Sequence, residues 1–163
     1  MSTRALLLAR MSDPESLVPV AEILERSEFV DCWNAVDGHV DLVAKLNAQP
    51  AELLEEIWSV GGIDHVDVLE LSDETGSILC DPSSCYSFVF LEVEPEKRSS
   101  IREQLSALKE VGFCSSRVDG ADIVAVVNGS SFQSINRAVN EQIRLIDGVL
   151  RLKQDRVINL KNI

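Results

Sequence analysis

Apolar positions along the chain switch between two spacings, and they do so twice in the same order. Residues 5–11 form an apolar run of strand length. Ser12-Asp13-Pro14-Glu15 then carries helix-start chemistry, with Ser12 as cap, Pro14 early and Glu15 three residues on. Leu17, Val20, Ala21 and Leu24 follow at the spacing of one helical face. Residues 29–36 read as a strand, Asp37-Gly38 as a tight turn, and residues 40–47 as the hairpin partner. Gln49-Pro50 opens a second helix with Leu53, Leu54, Ile57 and Trp58 on one face. Gly61-Gly62 ends it, and residues 63–71 alternate as a strand.

The second half runs through the same series. Residues 87–93 read as a strand, and Glu94-Pro95-Glu96 leads into a helix carrying Ile101, Leu105 and Leu108. Residues 111–118 form a strand, Asp119-Gly120 the turn, and residues 122–128 the return strand. Ser130 or Ser131 caps a helix carrying Ile135, Ala138, Val139, Ile143 and Ile146. Residues 149–160 close the chain as a long or broken strand.

Short motifs repeat along with the elements. Ala35-Val36-Asp37-Gly38-His39-Val40-Asp41-Leu42-Val43-Ala44 returns as Arg117-Val118-Asp119-Gly120-Ala121-Asp122-Ile123-Val124-Ala125. Ile63-Asp64-His65-Val66 returns as Ile146-Asp147-Gly148-Val149. The offsets are 82, 81 and 83 residues, which describes a duplicated module. Residues 1–74 form the first repeat, residues 75–85 a linker rich in small and polar residues, and residues 86–163 the second repeat.

Each repeat is a βαββαβ unit, the ferredoxin-like arrangement, so the fold class is α+β. Such a sheet carries helices on one face and leaves the other apolar. Two fused copies solve this by packing their open faces together, which predicts a dimeric α+β barrel made by one chain, a pseudodimer. Sites are then expected where the copies meet. Burial of residue 124 on its strand is a direct consequence of this register.

Composition narrows the classes. The net charge is −12, with 4 Lys/Arg against 16 Asp/Glu in residues 1–80 and 11 against 11 in residues 81–163. An acidic surface repels phosphate backbones, so no direct nucleic-acid partner is expected. The acidic half reads as a solvated face or as a surface for a basic partner. No apolar run reaches the roughly 18 residues of a membrane span, so no membrane partner is expected. The first ten residues are too soon charged for a signal peptide, and the chain reads as cytoplasmic.

The residues from Val30 to Leu46, with Gly120-Ala121-Asp122-Ile123-Val124 and Leu145-Ile146-Asp147-Gly148-Val149, resemble the effector-binding module of the Lrp/AsnC feast/famine transcription regulators. The resemblance covers nearly the whole chain. His65 stands where the family usually has Gly, and Val40 and Ala121 stand where Tyr or Phe is often found. What the resemblance implies is a ferredoxin-like fold, a small effector that is usually an amino acid, and assembly into rings of dimers. A helix-turn-helix of the family type has no room ahead of Ala5, so its DNA-binding role is not carried over.

The candidate ligand-binding residues are therefore the two hairpins, Asp37, Gly38, His39 and Asp41 in the first and Asp119, Gly120, Ala121 and Asp122 in the second. Glycine leaves backbone N–H groups bare to hold a carboxylate, and a nearby aspartate can hold an ammonium. The same residues also make a good turn with no ligand at all.

No catalytic residue, metal site or cofactor is assigned, since no phosphate loop, dinucleotide fingerprint or paired ligand set is present. Cys32 and Cys114, 82 apart, read as half-buried reduced thiols at equivalent positions, and Cys80 and Cys85 as linker thiols, a redox pair or metal ligands. The leading expectation is a stand-alone effector-binding protein. It would sense a small metabolite and modulate transcription through partners, as a homo-oligomer or a hetero-oligomer with Lrp/AsnC regulators. The alternatives are a small enzyme, with Cys32, Asn34, Cys114 and Ser116 sharing an inward strand face, and a pure assembly module.

Overall fold

The computed structural model describes residues 4–48, 51–76, 78, 85–117 and 122–158. The first copy contributes β1 (Ala5–Met11), α1 (Leu17–Arg26), β2 (Val30–Asp37), β3 (Leu42–Leu46), α2 (Ala51–Ser59) and β4 (Ile63–Gly76). The second contributes β5 (Cys85–Val93), α3 (Arg98–Ala107), β6 (Val111–Arg117), β7 (Ile123–Gly129), α4 (Phe132–Ala138) and β8 (Val149–Ile158). A π-helical turn, Val139–Ile143, continues α4.

The strands close into one antiparallel barrel in the order β1-β3-β2-β8-β5-β7-β6-β4. Each copy keeps the ferredoxin-like order, and two seams join them. β2 pairs β8 through Val36↔Val157, and β4 pairs β6 through Ser72↔Ser116. Closure leaves the described sheet without a free edge, so the backbone ladder satisfies itself across both copies.

Three apolar cores follow from the period-two pattern of the strands. Inside the barrel lie Leu6, Leu8, Val43, Leu69, Phe88, Phe113, Val124 and Val126. Outside it, α1 and α2 cover the first sheet through Val20, Leu24, Leu53 and Ile57, while α3 and α4 cover the second through Ile101, Leu105, Ile135 and Ala138. Burying each such side chain stabilises by roughly 1.5–3 kcal/mol, so the shared interior holds the copies together. The fold is thus the expected α+β pseudodimer, and Val124 is buried in the shared interior.

Two register corrections matter for the site. The hydrogen bonds Ser12 N–H to the Gly62 carbonyl and Glu94 N–H to the Gly148 carbonyl are equivalent, at 2.8 and 2.9 Å. Gly62 and Gly148 both adopt positive φ, +70° and +99°, which an L side chain resists. Met11 pairs Ile63, and Val93 pairs Val149, so the last strands are related by 86 residues rather than 83. His65 is therefore not the counterpart of Gly148; it lies two residues into β4.

The inner hairpins are related by 81 residues, since Trp33 pairs Ala44 and Cys114 pairs Ala125. Cys114 thus takes the place of Trp33, not of Cys32, and both pack beneath helices. Cys32 is disulfide-bonded and not the reduced thiol expected, whereas Cys85 and Cys114 are free thiols. The helix start also differs: Asp13, not Ser12, caps the first turn by accepting from Glu15 N–H at 3.0 Å. Ser131 caps α4.

Candidate ligand-binding cleft

A cleft of about 200 Å³ opens at one mouth of the barrel. Its floor is apolar, formed by Leu8, Leu69, Phe90 and Val124 from the barrel interior. A second depression of about 480 Å³ shares Leu8, His39, Asp67 and Lys153 with it, so the two are continuous. The copies contribute equivalent positions. Leu8 pairs Asp67 as Phe90 pairs Lys153, so Leu8 matches Phe90 and Asp67 matches Lys153. The cleft therefore sits on the pseudo-two-fold axis, where the copies were expected to build a site.

The wall is set by the first hairpin. Gly38 lies so close to β8 that a Cβ there would overlap Asp155 Oδ1 and the Gln154 carbonyl oxygen. Glycine is required at this position by space. The close approach lets Val40 N–H donate to Asp155 Oδ1 at 3.2 Å and brings His39 Nδ1 to 2.6 Å from Asp155 Oδ2. Phe90 holds the other side of the imidazole, ring edge to ring face, at 5.1 Å between centroids. The imidazole is thus fixed against the cleft, with 28% of its side chain exposed.

Asp155 is fully buried. Burial pushes its carboxyl above the ordinary aspartate value, and the Val40 amide and His39 only partly offset this. In the pseudo-symmetric register Asp155 stands opposite Phe88 as Leu69 stands opposite Leu6. One half carries leucine and the other a carboxylate at this equivalent position.

The other expected residues divide. Asp37 points to solvent and pairs with Arg156 at 3.4 Å. Asp41 is spent on structure, accepting from Met11 N–H at 2.8 Å. The hairpin amide read as a seat for a ligand carboxylate is taken by Asp155. Asp122 reaches the cleft beside Arg117, 3.6 Å away. Asp119, Gly120 and Ala121 lie outside the described residues. His65 lines only the outer depression.

The rim carries Arg117, Arg151 and Lys153 against Asp67, Glu92 and Asp122. Arg117 is committed to Asp122, and Arg151 lies 3.9 Å from Glu92. The side chains of Asp67 and Lys153 make no hydrogen bond or ion pair among the described residues. An unpaired acid and an unpaired base at pseudo-equivalent positions thus face one apolar-floored cleft. The interior itself is filled, and the inward polar face expected on β2 and β6 is split. Asn34 accepts from Tyr86 Oη at 2.7 Å inside, while Cys114 and Ser116 turn toward α3. Among the described residues, no group of three or more His, Cys, Asp or Glu side chains is placed to hold a metal.

Sequence reading missed Asp155, Asp67, Lys153 and Phe90. Lys153 and Asp155 sit in a charge-rich strand that resembles a solvated edge. The one available signal was the mismatch of Leu69 with Asp155, which only the 86-residue register exposes.

No family model matches the sequence, and no curated protein matches it. Solved structures do match in fold. The siroheme decarboxylase NirDL, in co-complex with an iron-uroporphyrin III analogue, aligns with a TM-score of 0.74 at 12% identity, over 94% of this chain and 70% of that one. A putative monooxygenase from Fusobacterium nucleatum subsp. nucleatum aligns at 0.58 with 9% identity, over 96% and 92%. AsnC of E. coli aligns at 0.44 with 16% identity, over 68% and 73%, which is too weak to carry weight. The likenesses to NirDL and the monooxygenase establish the dimeric α+β barrel fold.

Proposed function

We propose that the protein is an effector-binding protein of Lrp/AsnC type that takes one small zwitterion, an amino acid, at the barrel mouth. The observation that carries this reading is the unpaired Asp67–Lys153 couple above an apolar floor. Lys153 seats the ligand carboxylate and Asp67 the ammonium, while the side chain lies against Leu8, Leu69 and Phe90. Output passes to transcription through protein partners, as a homo-oligomer or with Lrp/AsnC regulators, because the net charge of −12 opposes direct contact with nucleic acid.

Titration calorimetry against the twenty amino acids tests this. The expected result is saturable heat with at least one, lost in Lys153→Glu with the fold intact. A flat response to all twenty overturns the reading.

A second reading has its own observation. A buried carboxylate 2.6 Å from an imidazole that faces a cleft is the geometry of a proton-transfer group. NMR of a bound amino acid during long incubation separates the two. Unchanged ligand signals support binding, and new product signals that vanish in His39→Gln support catalysis.

A further inference from the structure

The inward face of β8 steps down from the cleft mouth through Arg151 and Lys153 to the buried Asp155, while Leu152 and Gln154 turn outward toward the helices. Successive residues on one face of a strand lie roughly 7 Å apart, so Asp155 is one step deeper than Lys153. The His39 imidazole sits 2.6 Å from Asp155 Oδ2 and lines the same cleft. It therefore stands within a side chain's reach of the carboxylate seat assigned to Lys153.

The two ring nitrogens point away from each other and have different fates. Nδ1 is committed to Asp155, whose other oxygen accepts from Val40 N–H. A carboxylate only accepts, so Nδ1 carries the ring proton whenever the pair holds a single proton. The other tautomer would set two lone pairs face to face. Nε2 is then left with a bare lone pair. It makes no hydrogen bond or ion pair among the described residues. Nor is it enclosed, since the buried unpartnered side-chain atoms of the described residues are Glu74 Oε1, Arg102 Nε and Asn128 Oδ1. With 28% of the side chain exposed and Phe90 packed on the ring, Nε2 is open to an occupant of the cleft.

Resting on the amino-acid reading above, we propose that His39 Nε2 is a specificity-determining acceptor and that the ligand is an amino acid whose side chain ends in a neutral O–H or N–H donor. The donor bonds Nε2 while the apolar part of the side chain lies on Leu8, Leu69 and Phe90. A hydrocarbon side chain of the same shape strips water from Nε2 and returns no bond, so it is held less tightly. An ionised acidic side chain meets a lone pair with the Asp155 carboxylate behind it and is repelled. The apolar floor disfavours a charged donor. Asp155 acts at one remove, as the positioning residue that fixes the ring and its tautomer.

Calorimetry on the full chain compares three isosteric pairs: threonine with valine, tyrosine with phenylalanine, and tryptophan with 3-benzothienylalanine. The donor member of at least one pair should bind about tenfold more tightly than its isostere, and this ratio should fall to about one in His39→Leu. Imidazole nitrogen-15 NMR of the parent at pH 8 reads the same contact without a variant, should the leucine variant not fold. In the free chain Nδ1 should be protonated and Nε2 bare. Nε2 should move toward hydrogen-bonded values on adding the donor member and not on adding its isostere. A ratio near one in every pair that binds, or a proton on Nε2 in the free chain, overturns this inference and leaves the amino-acid reading standing. Silence with all twenty amino acids overturns that reading, and this inference with it.

Discussion

Asp155 pays twice for its position. It is fully buried, and its carboxyl is held above the ordinary range mainly by that burial. A raised folded-state value means that the folded chain binds the proton more tightly than the unfolded chain. Its contribution is therefore fully present below the unfolded value of about 3.9 and is lost as pH rises through the raised folded value. Asp155→Asn removes this slope. Denaturant unfolding from pH 4 to pH 7 should show the parent losing stability relative to the asparagine variant as pH rises. Parallel pH profiles would show that the carboxyl is not perturbed. Gly38 belongs to the same argument. Gly38→Ala places a Cβ into the Asp155 carboxylate and the Gln154 carbonyl, so the hairpin must lift. The expected cost is roughly 1–3 kcal/mol, as for other overpacking changes. His39 should move with the hairpin, read as a change in its ring resonances.

Element by element, apolar periodicity placed the eight strands and four α-helices of the described residues, because each carries one clean face toward a core. Ala5–Met11 and the Val111 and Val149 strand starts fall where the pattern puts them. What the pattern could not resolve was register. A one-residue error relates Cys114 to Cys32 instead of Trp33 and moves a side chain from one face of the sheet to the other. Motif matching aligned Ile63 with Ile146, whereas the turn geometry aligns Gly62 with Gly148. That three-residue slip hid the cleft, because Asp67, Lys153 and Asp155 acquire their meaning only in the correct register. The hairpin His39 was visible from sequence, and its partner 116 residues away was not. On β7, Val124→Asp is the sharpest test of an element. It puts an unpaired carboxylate on a strand position that is 1% exposed and faces the filled interior. A loss above ~4 kcal/mol, or failure to fold at all, is expected in thermal unfolding.

Across the whole molecule, the two halves place equivalent positions around one axis, and the proposed recognition rests on where those positions differ. Leu69 against Asp155 and Asp67 against Lys153 are two of the places where they differ at the cleft. The first difference orients an imidazole, and the second gives the mouth opposite charges on its two sides. A symmetric homodimer of one such module would carry two acids or two bases there, and it could not read the direction of a zwitterion. The consequence is testable within one chain. Asp67→Lys alone makes the mouth doubly basic, and Lys153→Asp alone makes it doubly acidic. Each should abolish amino-acid binding in calorimetry while leaving the barrel folded, because both side chains lie at the rim. The double exchange, Asp67→Lys with Lys153→Asp, restores one charge of each sign at positions related by the pseudo-axis. Binding should return with the ligand reversed. Affinity should stay below that of the parent, since His39 and Asp155 remain on one side only. Recovery of heat in the double variant, with ligand-to-His39 contacts altered in NMR, would establish that the asymmetry of the duplicated barrel is its recognition device. A double variant as silent as the single ones would show that the couple does not hold the ligand.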